Sequence, residues 1–144
     1  HAGEVCGAKS VDEAIQLGVT RIGHGVRSVE SEETIVKILE KNILLEICPG
    51  SNIALGLYPK LEEHPINFFF KRNLPISIST DDPSFFFTTL SKEYQDLHNV
   101  FGWKEETFNK INRQSISFAF CESSLKEKLM QQLQREKNGK FDNY

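Results

Sequence analysis

The 144-residue chain has 39% hydrophobic content, enough for one ordinary soluble core, and a formal net charge of −3 at pH 7. With 17 basic against 20 acidic side chains, nothing electrostatic points to nucleic acid or an anionic membrane as a partner, which leaves small molecules and other proteins. No apolar run approaches the roughly 18 residues that cross a bilayer, and no basic segment leading into an apolar stretch opens the chain.

In chain order, Ser10-Val11-Asp12-Glu13 has capping-box form and predicts a helix to about Leu17, stopped by Gly18. Val19 to His24 reads as a strand. A second helix, Glu32 to Lys41, places Ile35, Ile38 and Leu39 on one face and ends at Asn42. Ile43 to Ile47 is the second strand, and the following Cys48-Pro49-Gly50-Ser51-Asn52 reads as a loop with Asx and Ser turn chemistry. Pro65 suits the first turn of a third helix through Phe68, Phe69 and Phe70 to Arg72, before Pro75 to Thr80 forms the third strand. Only helices follow: around Leu90 to Val100, Lys104 to Phe120, and Ser124 to Lys137, with a frayed tail expected from Asn138.

Strands separated by single helices imply parallel pairing through right-handed crossovers. Three strands cannot close on themselves, and a full (β/α)₈ barrel takes about 250 residues. An open doubly wound sheet would carry a Gly-rich phosphate loop after its first strand, and none is present. The expected fold class is therefore α/β, half of a (β/α)₈ TIM barrel.

In a parallel barrel the chemistry lies at the C-terminal strand ends. Polar clusters stand at such positions four times: His1-Ala2-Gly3-Glu4, Gly23-His24-Gly25, Cys48 to Asn52, and Thr80-Asp81-Asp82-Pro83. Adjacent Asp81 and Asp82 would repel each other unless a cation or a donor offsets the cost, although an isolated Asp-Asp-Pro also reads as a helix cap beside a solvated acid. His24 between glycines could approach a ligand closely or be structural. Glu4 could be a proton shuttle or a first-turn acid. His64 and His98 lie in or beside helices without a partner at ligand spacing and are read as structural or exposed. Cys6, Cys48 and Cys121, odd in number and widely spaced, suit neither a disulfide framework nor a metal knuckle; reduced thiols in a cytoplasmic protein are expected.

Taken in order, His-Ala-Gly-Glu, Arg-Ile-Gly-His-Gly, Cys-Pro-x-Ser-Asn and Thr-Asp-Asp-Pro resemble the adenosine deaminase family of metal-dependent amidohydrolases, over most of the chain. The resemblance implies that these segments end strands five to eight of the barrel, so that residues 1–144 form its C-terminal half: three complete strands plus the end of a fourth, then C-terminal helices. It makes His1 and Asp81 ligands of one Zn²⁺, which acidifies a water. His24 would orient the resulting hydroxide and accept its proton, and Glu4 would protonate purine N1 as C6 is attacked. Asp82 would hydrogen-bond N7, and the Gly3 amide would donate to N3.

The implied reaction is hydrolytic deamination of adenosine or deoxyadenosine to inosine and ammonia, the partner being a small-molecule purine nucleoside. Adenine and 6-aminodeoxyfutalosine are the alternatives. Adenine deaminases resembling this chain carry an Asp where Gly23 stands, which weighs toward a nucleoside, and no basic cluster marks a phosphate site for AMP. The family's other two ligands are a His-x-His pair, and no His-x-His occurs here. The chain, which opens on His1 rather than Met, is thus expected to be part of a longer parent, to pair with a complementary N-terminal half, or to be a truncated, inactive product.

Overall fold

Short apolar stretches bounded by turn residues become parallel strands in the computed structural model, which describes residues 1–138. Strands β1 (Arg21–Gly23), β2 (Leu44–Ile47) and β3 (Ile76–Ile78) form one sheet in the order β1-β2-β3, with Ile22 opposite Leu45 and Leu45 opposite Ile76. Helix α1 (Ala8–Gln16) precedes β1, α2 (Glu32–Glu40) links β1 to β2, and α3 (Pro49–Ala54) and α4 (Ile66–Lys71) link β2 to β3. Helices α5 (Leu90–Phe101), α6 (Glu105–Phe118) and α7 (Ser123–Asn138) follow. The fold is thus α/β with a parallel sheet, as expected.

Side chains alternate along each strand, which sorts them onto two faces. Ile22, Leu45, Ile47, Ile76 and Ile78 point toward the helices and join Ile35, Ile38, Ile66 and Phe69 in one core. Each such fully buried side chain contributes about 1.5–3 kcal/mol. The opposite face carries Arg21 and Glu46, half-buried and paired with each other, with Ser77 in register beside Glu46.

The strands are shorter than the sequence predicts. β1 stops at Gly23 because His24 takes a left-handed backbone, φ +63°, that a strand cannot continue. Asp81, φ +60°, makes the same break beyond β3. The other helix boundaries fall within two residues of expectation, and the tail predicted to fray lies largely outside the described residues.

Two local readings are corrected. Helix α1 begins at Ala8 with Gly7 at its N-cap, so Ser10 is inside the first turn rather than capping; its hydroxyl donates to the Gly7 carbonyl at 2.8 Å. The segment read as a loop after Cys48 is helix α3, with Pro49 in its first turn. Its cap comes from α5: Glu93, 2% exposed, accepts from the Gly50 amide at 2.9 Å and from the Thr88 hydroxyl at 2.7 Å. A carboxylate is favoured at a helix N-terminus. A Cβ on Gly50 would stand 2.3 Å from Glu93 Oε1, which explains the glycine. Glu93→Ala is expected to lower the unfolding free energy by about 1–3 kcal/mol in urea denaturation, because it leaves these half-buried donors unpaired.

No helix among the described residues is long and apolar enough to cross a membrane.

Candidate active site

Residues 1–3 run beside β1 as the rudiment of another strand. The Ala2 amide donates to Gly23 O at 3.2 Å, the Gly25 amide to Ala2 O at 2.9 Å, and the Arg27 amide to Gly3 O at 2.8 Å, giving a parallel bridge between Ala2 and His24. This lays the His1 ring against Gly23, where an added Cβ would meet His1 Cδ2 at 2.9 Å. It also stacks His1 edgewise on His24, with ring centroids 4.8 Å apart.

His24 is 1% exposed, and its left-handed backbone costs about 1–2 kcal/mol in a residue with a Cβ. That turn carries its imidazole to the sheet end, where Nε2 lies 3.4 Å from Glu4 Oε2 and 3.8 Å from Asp81 Oδ2. Two of the strained positions of this chain, His24 and Asp81, therefore meet across the strand ends, the usual place for strain that serves a function.

Helix α3 supplies the groups behind them. The Ser51 hydroxyl donates to Asp81 Oδ2 at 2.7 Å. Asn52 Nδ2 is 3.3 Å from His24 Nδ1, and Asn52 Oδ1 is 3.2 Å from His64 Nε2. The Ile66 amide donates to His64 Nδ1 at 3.1 Å. Burial pushes the His64 pKa down to about 3, so this ring is neutral. Cys48 also stands near His24 and Asp81, but burial above all, with the nearby Asp81 charge, raises its thiol to about 12. It stays protonated, in line with the absence of any nucleophilic signature around it.

Four predicted residues therefore come together. Ligand atoms of His1, Glu4 and His24 lie within 4.8 Å of one another, as do those of His24, Cys48 and Asp81. His1 and Asp81 fall in separate groups, joined through His24.

Two predicted residues are placed differently. The Gly3 amide, expected to donate to a purine nitrogen, donates to Ser10 Oγ at 2.8 Å and has no second hydrogen to give. Gly3 is a packing glycine instead: at φ +64°, a Cβ would sit 2.4 Å from Val11 Cγ2. Asp82 is exposed and accepts from the Phe85 amide through Oδ1 at 3.1 Å, closing a turn and leaving Oδ2 free. His98 binds the Trp103 carbonyl at 2.7 Å, a structural role as read. The sequence reading missed Ser51, Asn52 and His64. The first two could have been found from their place just past a strand end, whereas His64 had no local signal.

Residues 1–136 match the family model described as adenosine deaminase. The chain belongs to the adenosine deaminase family. Among curated members and relatives, the adenine deaminase of Agrobacterium fabrum is 42% identical over 134 residues, covering 92% of this chain and 41% of that protein. The crystal structure of an adenine deaminase from Arthrobacter aurescens superimposes with a TM-score of 0.93 at 26% identity, covering 96% of this chain and 43% of that one. An Arabidopsis N6-mAMP deaminase gives a TM-score of 0.85 at 27% identity, covering 94% and 40%. This adenosine deaminase family chain thus spans about two-fifths of the length of the relatives it matches.

Proposed function

We propose that residues 1–144 are the C-terminal part of a (β/α)₈ barrel in a cytoplasmic, metal-dependent deaminase that hydrolyses the exocyclic C6–N bond of an adenine ring, with free adenine as substrate. The observation that carries this reading is the convergence of Glu4, His24, His1 and Asp81 at the C-terminal ends of parallel strands. A complementary N-terminal half would close the barrel over the Arg21–Glu46 face.

The donor set fits zinc in kind. His1 offers an imidazole nitrogen and Asp81 a carboxylate. Catalytic zinc takes three or more protein ligands, so the complementary half would supply the His-x-His pair that completes the set. When bound there, the ion lowers the pKa of a coordinated water to near neutrality.

The chain's own residues do the rest. Ser51 fixes the carboxylate of Asp81 through its 2.7 Å hydrogen bond. His24 orients the attacking oxygen toward C6, and Glu4 gives a proton to N1 so that the ring accepts the electron pair as its aromaticity is lost. The amino group leaves as ammonia, taking the second proton of the attacking water as the C6–O bond becomes a carbonyl. Asp82 lies beside Asp81 at the end of the same strand, where it would contact N7 and set the angle of the ring.

The names of relatives 33–42% identical, all adenine deaminases, support adenine. Adenosine is the second reading, and one observation favours it: Gly23, where the family resemblance implies an Asp in adenine deaminases, has no room for a side chain while His1 lies against it. Ammonia release from the zinc-loaded protein completed by its N-terminal half tests both. Release from adenine in preference to adenosine supports the first, release from adenosine alone moves the assignment to the second, and release from neither overturns both. Asp81→Asn should cost the protein its stoichiometric zinc in metal analysis; zinc retained in that variant removes Asp81 from the ligand set.

A further inference from the structure

The His24 ring lies at the end of a hydrogen-bond chain whose direction the backbone decides. The Ile66 amide stands 3.1 Å from His64 Nδ1. An amide N–H can only donate, so Nδ1 accepts, and the single proton of the neutral His64 ring is on Nε2. That Nε2–H donates to Asn52 across 3.2 Å, so the Asn52 atom it meets is the carbonyl oxygen Oδ1. The other end of the amide is then the NH₂ group, and it donates to His24 Nδ1 across 3.3 Å. With Nδ1 accepting, the proton of His24 stands on Nε2, the nitrogen that faces Glu4 Oε2 and Asp81 Oδ2.

The intermediates have no freedom to reverse this order. Asn52 and His64 are 0% and 3% exposed, so no bulk water substitutes for either partner. Turning the Asn52 amide over would set its NH₂ against the His64 N–H, two donors facing each other in the interior, at a cost of about 1–3 kcal/mol per unmade bond. Reversing His64 as well would set a ring N–H against the Ile66 amide.

The geometry points to Asn52 and His64 as positioning residues that hold His24 in the tautomer with the proton on Nε2, so that the ring presents a donor to the site. The catalytic meaning of this rests on the deaminase reading; the state of the ring does not. A ring held this way hydrogen-bonds to the attacking oxygen and cannot take its proton at Nε2, which replaces the acceptor role the sequence implied for His24. Glu4, the carboxylate next to Nε2, is then the group that accepts the proton from water before passing it to N1.

Long-range proton–nitrogen correlation spectra of the nitrogen-15-labelled chain at neutral pH read the tautomer directly, without zinc or substrate. The expected result is Nε2–H for both His24 and His64. Nδ1–H, an even mixture or a doubly protonated His24 overturns the proposal. Asn52→Asp replaces the NH₂ with an acceptor and should move a proton onto His24 Nδ1, whereas an unchanged tautomer overturns the assignment. His64→Gln, which can still donate to Asn52 Oδ1, should keep the wild-type state of His24, and His64→Phe should not. If a variant fails to fold, the wild-type spectrum still decides.

In an active deaminase, Asn52→Asp should lower kcat roughly 10- to 100-fold with KM little changed, the usual effect of a residue that orients a functional histidine. Spectra as expected together with no ammonia release from the protein completed by its N-terminal half would remove the deaminase reading and leave the positioning chain standing. Ammonia release with His24 in the other tautomer would do the reverse.

Discussion

Glu4→Gln is expected to lower turnover by roughly 10²- to 10⁴-fold, the range for a group that transfers protons in the transition state, while zinc remains bound. The carboxamide keeps the shape of the side chain and its place 3.4 Å from His24 Nε2, and it loses only the ability to give and take a proton. Its surroundings make this a sensitive position, since the Glu4 side chain is 16% exposed and lies with His1 and His24 in one cluster. The check is kcat measured beside zinc stoichiometry in the same preparation. Loss of zinc would give Glu4 a ligand role, which its place beside His1 permits; retention of full turnover would take it out of the chemistry.

Acid should destabilise the fold through His64. Its pKa is about 3 when folded, against an ordinary value near 6.5, because burial disfavours the charged ring. The unfolded chain therefore binds a proton that the folded chain refuses. The stability this represents is complete above about pH 6.5 and is lost as the pH falls toward about 3, at up to about 1.4 kcal/mol per pH unit. Urea unfolding at a series of pH values should show that slope across the window. His64→Gln, which cannot titrate, should flatten it; an equal slope in the variant would place the acid sensitivity elsewhere.

The site was legible where a residue's role depends on its position along the chain. His1, Glu4, His24 and Asp81 stand at strand ends, and the alternation of apolar strands with helices locates those ends to within a few residues. What sequence could not show depends on partners far apart in the chain. Helix α3 read as a loop because its capping carboxylate, Glu93, lies 43 residues away. Ser10 has the form of a helix cap, yet its hydroxyl serves Gly3. His64 sits in a segment without any motif, and only the approach of the turn just before it to α3 brings it to Asn52. Strand ends were overextended for a related reason: nothing in the spelling of Gly-His-Gly announces that the histidine, and not only the glycine after it, turns left-handed.

The pairing of residues 1–3 with β1 is thin, resting on one bridge where β1 and β2 share three residue pairs. Segments held by so few backbone bonds open far more often than the sheet they border. Asp81, by contrast, is held by the Ser51 hydroxyl. An ion that gathers His1 and Asp81 would act as a clasp on this margin of the sheet. The amides of Ala2 and Gly25 would report this as slowed hydrogen exchange when metal is added, in a part of the molecule where the rest of the sheet is already protected.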